Sequence, residues 1–239
     1  LAYTLGKSFD VTIYEKEKTI ARKFLVAGKG GFNLTNELSG DDLKNKYSPN
    51  NFLDEALQSF DSKKTRDWLD EIGVPTYVGS SGRVFPEKGI KPIEVLEAIR
   101  NCIVDFGVQI VTHHTFAGFD DEKLPVLRNE ATEFSVDSDF VVFAMGGASW
   151  SQTGSDGKWL DSFEKIGVNC NPFQSSNCGV NVEWNDELKK HHSGKPLKNI
   201  SLTIGGKTIL GEVLITDYGL EGNAVYPSVP AIRERLSED

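Results

Sequence analysis

The 239-residue chain is poor in cysteine, in positive charge and in long apolar runs. Cys102, Cys170 and Cys178 are odd in number and show no C-x-x-C spacing. That argues against a disulfide framework and a zinc knuckle, and a reducing, cytoplasmic compartment is the simplest expectation. No apolar stretch approaches the roughly 18 residues that a membrane span requires, so no membrane partner is expected. Lys+Arg number 26 against 35 Asp+Glu, a net charge of -9. An acidic chain without a basic stripe argues against nucleic acid as the main partner. It leaves room for an anionic cofactor, which needs only local positive potential. The four histidines form two doublets, His113-His114 and His191-His192. Neighbours on a strand face opposite ways, so such a doublet is badly placed to ligate one metal, and none is expected. No Ser/His/Asp set with a nucleophile elbow and no telling pair of carboxylates stands out. No catalytic acid or base is therefore assigned, and Tyr218 and Glu221 are weak candidates on the substrate side.

What is present centres on residues 21–36. An extended run, Asp10 to Tyr14, ends on the acid Glu15, and Ala21 to Asn36 follows. Glycine at 28, 30 and 31 lets backbone N–H groups turn inward against a phosphate or a flat ring. Arg22 and Lys23 supply positive charge, while Asn33, Thr35 and Asn36 supply neutral donors and acceptors. Leu1 to Leu5 read as the last turns of a helix closed at Gly6, so Asp10–Tyr14 is the second strand of a βαβ unit. Dinucleotide-binding units place a ribose-gripping acid at the tip of that strand, about 20 residues after a glycine fingerprint. Glu15 stands there, and the fingerprint is expected ahead of Leu1.

The stretch resembles the signature of the aminoacetone oxidase/BaiN-like (YhiN-type) family of FAD-dependent flavoproteins. In that family an arginine-lysine pair, a glycine cluster and Asn-x-Thr-Asn surround bound FAD. The chain departs from it at Ala21, usually glycine, Gly31, usually arginine, and Phe32, usually cysteine. A second segment, Met145-Gly146-Gly147-Ala148-Ser149, resembles the family's Thr-Gly-Gly-x-Ser, with Met145 in place of threonine; Gly154-Ser155-Asp156-Gly157 follows it. Gly82-Arg83-Val84-Phe85-Pro86 recurs in the family before a helix. Gly211 to Gly222 matches a further block, with Glu221 where serine is common. The resemblance implies FAD held by Glu15, Arg22, Lys23, Gly28, Gly30, Gly31, Asn33, Thr35 and Asn36, with Met145, Gly146 and Gly147 on a second turn.

Around these segments the pattern predicts an excursion of helices over 37–73. One follows Ser48-Pro49 with Phe52, Ala56 and Leu57, and a second is capped by Ser62 and carries Trp68. A hairpin follows over 76–85. A helix from Pro92 to Phe106 has the apolar stripe Ile93, Leu96, Ile99, Ile103 and ends at Gly107. Short strands fill 108–136, and Phe140 to Ala144 reads as a central parallel strand because it is apolar throughout. A helix over 158–166 precedes a β-rich stretch in which Gly205-Gly206 marks a tight turn.

The expected fold class is α/β. Residues 1–170 form an FAD-binding Rossmann-like domain with a small antiparallel insertion, its first strand and fingerprint lying outside the chain. Residues 171–239 begin a β-barrel-like substrate domain, expected to be incomplete. The family resemblance implies an FAD-dependent oxidoreductase, NAD(P)H-linked in one form, that oxidises a small amine or reduces an unsaturated carbonyl compound. The alternative is a non-catalytic or degenerate flavin-binding module.

Overall fold

A one-turn helix, α1 (Ala2–Leu5), delivers the chain to strand β1 (Thr12–Tyr14) in the computed structural model, which describes residues 1–26, 32–47, 49, 51–149 and 151–237. Gly6 follows α1 with right-handed φ, so its glycine is required by space: a Cβ there would lie 2.6 Å from a Val108 methyl. Strand β1 pairs in parallel with β5 (Gln109–Val111), Thr12 opposite Gln109 and Tyr14 opposite Val111. The residues between these strands form the helical excursion that a parallel crossover needs.

That excursion runs through α2 (Arg22–Val26), β2 (Thr35–Asn36), α3 (Gly40–Lys44), α4 (Asp54–Ser59), α5 (Ser62–Glu71), β3 (Thr76–Val78), β4 (Arg83–Pro86) and α6 (Pro92–Val104). Strands β2, β4 and β3 make an antiparallel sheet in that order. Asp61, not Ser62, caps α5, its carboxylate accepting the Lys64 N–H at 2.9 Å. Helix α4 starts later than Ser48-Pro49 suggests; Ser48 lies outside the described residues, and Phe52 is exposed. In α6 the buried positions are Val95 and Ile103, while Ile93 is 43% exposed. Leu96, Ile99 and Ile103 keep to the expected stripe, and Val95 takes the buried place expected of Ile93. Leu69, Val74 and Val95 form the local core, with Phe24, Phe32, Leu34, Trp68 and Ile99 packed around it.

Strands β6 (Thr115–Phe119), β7 (Pro125–Arg128) and β8 (Glu133–Ser135) form an antiparallel meander, which matches the expected insertion. The expected central strand over 140–144 is not formed: no ladder partner joins it among the described residues. Phe140 and Val142 are 84% and 58% exposed. Apolar character made the run look like a buried strand, but a strand also needs a neighbour for its N–H and C=O groups. Only Phe143 finds apolar company, edge-on to Phe116, Phe119 and Phe163. Helix α7 (Leu160–Lys165) carries Phe163 into that cluster.

By its internal contacts the chain divides into two units, Leu1–Gly146 with Trp150–Asn169, and Gly147–Ser149 with Cys170–Asp239. In the second unit β9 (Val180–Asn181) precedes α8 (Asp186–His192), β10 (Pro196–Ile204), β11 (Lys207–Ile215), β12 (Gly219–Glu221) and a final helix α9 (Val229–Leu236). The sheet order is β10-β11-β12-β9, all antiparallel. Gly205 and Gly206, at φ +56° and +76°, make the tight turn between β10 and β11 that their spacing predicts. Positive φ at both central residues suits the strand twist and favours glycine. Val213, Ala224 and Val225 form this unit's core.

Leu69 is 3% exposed between α5 and the residues around Val74 and Val95. Leu69→Ala is expected to lower stability by about 2–5 kcal/mol through lost burial and a residual cavity. Urea denaturation of the two proteins measures it.

Candidate functional site

Glu15 continues the β1 ladder by one residue. Its N–H donates to the Val111 carbonyl at 2.9 Å, and its carbonyl accepts from the His114 N–H at 3.0 Å. With the backbone fixed on both sides, the half-buried carboxylate is the free part of the residue. One of its oxygens accepts the Glu17 N–H at 2.9 Å, a tight local turn that leaves the other oxygen available. His113 beside it adopts φ +60°, a conformation costly for a non-glycine residue. The His114 ring is braced by Thr112 O at Nδ1 (2.8 Å) and Asn129 at Nε2 (3.2 Å). It also meets the Tyr14 ring at 5.4 Å.

The next two residues point the tip at both signature segments. Glu17 takes a 2.7 Å ion pair from Arg22, the first residue of α2. Lys16 Nζ donates to the Gly154 carbonyl at 2.9 Å, 138 positions along the chain. Gly154 has φ +91°, and a Cβ there would lie 3.0 Å from the Lys16 side chain. Neither Lys16 nor Glu17 is singled out by the motif; only their place directly after the strand-end acid could have flagged them.

Lys23 is exposed on α2. Gly28, Gly30 and Gly31 lie outside the described residues. The chain on either side of them is drawn together, because Phe24 and Phe32 meet edge-to-face at 4.9 Å over the Leu69, Val74 and Val95 core. Phe32, in place of the cysteine that the resemblance leads one to expect, therefore has a packing role. Asn33 is exposed. Thr35 and Asn36 are half-buried on β2, opposite Val84 and Arg83, so the Asn-x-Thr-Asn and Gly-Arg-Val-Phe-Pro segments are strand neighbours. The Asn36 side-chain Oδ1 accepts the Leu38 N–H at 2.9 Å. Arg83 is exposed and makes no ion pair with a described residue.

Of the second segment, Met145 is half-buried and Gly146 has φ +74°. A Cβ on Gly146 would stand 3.0 Å from the buried Ser155 hydroxyl, and its carbonyl accepts the Trp159 N–H at 3.1 Å. Gly147 falls in the second unit, where a Cβ would make only ordinary contact with Phe173. Gly146 is thus demanded by geometry and Gly147 is not. Among the described residues, no group of three His, Cys, Asp or Glu side chains could hold a metal ion.

The second unit contains one polar pair of note. The Tyr218 hydroxyl donates to the Glu221 carboxylate across the turn entering β12. Thr216 fixes that turn through bonds of its hydroxyl to the Gly219 N–H and carbonyl, both 3.0 Å. Gly179 lies against the pair; a Cβ there would sit 2.9 Å from Glu221 Cγ. The hydrogen bond to Glu221 first, and desolvation second, push the Tyr218 phenol above its ordinary range.

A family model described as "HI0933-like protein Rossmann domain" matches residues 2–214. Among curated proteins, the chain is 24% identical over 226 residues to a ribosomal RNA dihydrouridine synthase of Haemophilus influenzae, covering 92% of this chain and 55% of that protein. It is 25% identical over 242 residues to a 3-dehydro-bile acid delta(4,6)-reductase of Clostridium scindens, covering 95% of this chain and 55% of that one. The chain thus spans about half the length of these curated relatives. Among solved structures, the crystal structure of Thermovibrio ammonificans THI4 is similar at 14% identity and a TM-score of 0.45, covering 81% of this chain and 65% of that chain. No helix among the described residues is long and apolar enough to cross a membrane.

The raised Tyr218 phenol has a signed consequence. A group whose folded pKa is raised stabilises fully below its unfolded pKa and loses that contribution as pH rises through the folded value. Stability from this pair should therefore fall as pH rises above about 10, where free tyrosine ionises. Glu221→Gln should flatten that alkaline fall and let Tyr218 ionise at lower pH. Urea melts and tyrosinate difference absorbance across the alkaline range check both.

Proposed function

The chain belongs to the HI0933-like Rossmann-domain family, and on that premise we propose that it holds FAD and serves an oxidoreductase that saturates a carbon–carbon double bond conjugated to a carbonyl. The observation that carries the cofactor reading is the tip of β1. A free carboxylate oxygen of Glu15 stands at the end of a parallel strand, where dinucleotide folds grip a ribose hydroxyl. Gly154, in the second glycine-bearing segment, is tied to the same tip by Lys16. At Gly146 and Gly154 the positive φ disfavours any side chain, and a Cβ would press on Ser155 or on Lys16, so the backbone there is bare. These residues fit FAD. Arg22, held by Glu17 at the start of α2, adds positive charge beside the acid.

FAD supplies hydride or electron chemistry when bound, and the protein's part is to bind, orient and exclude water. The relatives' names support the substrate class. A dihydrouridine synthase and a delta(4,6)-reductase both add hydrogen across a carbon–carbon double bond. Uridine and a 3-dehydro compound unsaturated at position 4 each place that bond beside a carbonyl. One name specifies an RNA and the other a small molecule, so the names divide on the substrate's size while agreeing on its chemistry. We propose reduced nicotinamide as the electron source.

Two measurements test this reading. Glu15→Ala should weaken FAD by about 1–3 kcal/mol, the range for losing a hydrogen bond to a charged group. Titration of flavin fluorescence reads the change, and an unaltered affinity would remove Glu15 from the site. In the second, protein with bound flavin is reduced anaerobically by NADPH and then mixed with 2-cyclohexenone or with a small primary amine. Reoxidation by the enone is the expected outcome. A flavin that neither reductant nor enone alters would instead favour a redox-inert module.

A further inference from the structure

The antiparallel sheet β2-β4-β3 has two unlike faces. From β4, Val84 and Pro86 turn inward and are buried. The other face follows from the register, because cross-strand partners share a side, as do residues two apart on one strand. Arg83 stands opposite Asn36, and Phe85 stands opposite Tyr77. Asn36, Arg83, Phe85 and Tyr77 therefore lie together on the outward face. The turn leading into Arg83 is closed by two bonds. The Gly79 N–H donates to the Arg83 carbonyl at 2.8 Å, and the Gly82 N–H donates to the Gly79 carbonyl at 3.0 Å. Gly79 yields its place beside Arg83 to an aromatic ring, since a Cβ there would lie 2.9 Å from Phe85 Cε2. Phe85 stacks in turn on Tyr77, with ring centres 5.7 Å and planes 28° apart. Tyr77 is 36% exposed, so the pair presents a flat surface to solvent.

The polar groups of this face lack internal partners. Arg83 is exposed and makes no ion pair or side-chain hydrogen bond with a described residue. Glu37, next along from Asn36, lies against Gly82 instead. Its N–H bonds the Gly82 carbonyl at 2.9 Å, and its carboxylate lies 3.0 Å from where a Gly82 Cβ would stand. The Asn36 Oδ1 is taken by the Leu38 N–H, which leaves the amide NH2 as a donor with no acceptor among the described residues. The chain has 35 acidic side chains against 26 basic ones, so an arginine kept clear of them does not reflect a shortage of acids.

A guanidinium presents a rigid fork of N–H donors that matches a carboxylate, and its plane sits well beside aromatic rings. We propose that Arg83, Asn36 and the Tyr77–Phe85 pair bind the carboxylate end of a flat, conjugated acid. Arg83 and the Asn36 amide donate to the carboxylate, while the conjugated plane stacks on Tyr77. This inference rests on the double-bond reductase reading and narrows its substrate to unsaturated acids. The other anion within reach of the argument is a cofactor phosphate. An aromatic surface beside the fork favours a flat carbon skeleton over a tetrahedral phosphate, which has no plane to stack.

The test measures binding without turnover on the protein as isolated, so its failure leaves the flavin reading standing. Cinnamate, a flat unsaturated acid, and cinnamamide, its uncharged counterpart, are titrated separately by calorimetry. Cinnamate should bind at least about tenfold more tightly, the low end for a hydrogen bond to a charged group. Arg83→Gln should abolish that preference and weaken cinnamate about 10- to 150-fold. Arg83→Lys, which keeps the charge but not the fork, should retain part of it. Tyr77→Ala should weaken both ligands roughly 2- to 10-fold through lost stacking, whereas Tyr77→Phe, which keeps the ring, should retain both. Flavin fluorescence titration of Arg83→Gln should give an unchanged FAD affinity. Equal binding of cinnamate and cinnamamide, or full cinnamate binding by Arg83→Gln, would overturn the proposal. So would an Arg83→Gln protein that loses FAD, because Arg83 would then hold a cofactor phosphate.

Discussion

The parallel pairing of β1 with β5 is the constraint on which the candidate site depends. It is short, three residues on each strand, yet it fixes where the chain stops being a strand. Beyond Tyr14 the ladder still holds the Glu15 backbone through Val111 and His114, and then the chain turns away. Three consecutive residues leave that tip in three directions. Glu15 keeps a carboxylate oxygen free, Lys16 reaches the Gly154 carbonyl, and Glu17 pins Arg22. A one-residue slip of β1 would exchange the faces of all three and take the acid from the tip. Arg22 from the first segment and Gly154 from the second are both held by this one strand end.

Much of this was legible in the sequence, for identifiable reasons. A strand run ending on an acid, followed by a glycine cluster, is a local pattern, and the structure keeps its order. Gly205-Gly206 fixes its turn through backbone conformation alone, so two residues suffice to read it. The hairpin over 76–86 and the start of α6 at Pro92 are likewise set by glycine and proline. Other elements depend on information that no window of residues contains. Phe140 to Ala144 is apolar enough for a buried strand, but hydrophobicity says nothing about whether a neighbouring strand stands ready to pair. At the first turn of α6 Ile93 and Val95 compete for the core, and packing against Leu69 and Val74 chooses Val95, while Ile99 and Ile103 keep to the expected stripe. Helix α8 has no apolar stripe at all. Its signals are the Asn185 cap, acids in the first turn and lysines in the last, which follow the helix dipole.

The glycines divide by the physics that requires them. At Gly205, Gly206 and Gly194 the backbone adopts positive φ in the open, and only conformational freedom is at stake. At Gly6 and Gly179 φ is not positive and the missing Cβ makes room for a neighbour, Val108 in one case and Glu221 in the other. Gly146 and Gly154 combine the two demands. At these two positions the positive φ is the stronger demand, since the Ser155 hydroxyl or the Lys16 side chain would need to give way only slightly. In the candidate site such doubly constrained positions fall at the turn tied to Lys16, while Gly147, adjacent in sequence, carries neither constraint.

The departures from the family signature follow from the same distinction. Phe32 stands where the resemblance has cysteine, and its ring turns to Phe24 and the core. The features that argue for a dinucleotide cofactor are a strand end, a free carboxylate oxygen and bare backbone at two turns. These survive side-chain changes nearby because the fold sets them. Substrate selection has no such protection, since it depends on which side chains project from the scaffold, and besides Phe32 the chain departs from the family signature at Ala21, Gly31, Met145 and Glu221. The family's cofactor chemistry can therefore carry over to a divergent member while its substrates do not. The two curated relatives, about equally similar to this chain, are named for different substrates, an RNA and a bile acid.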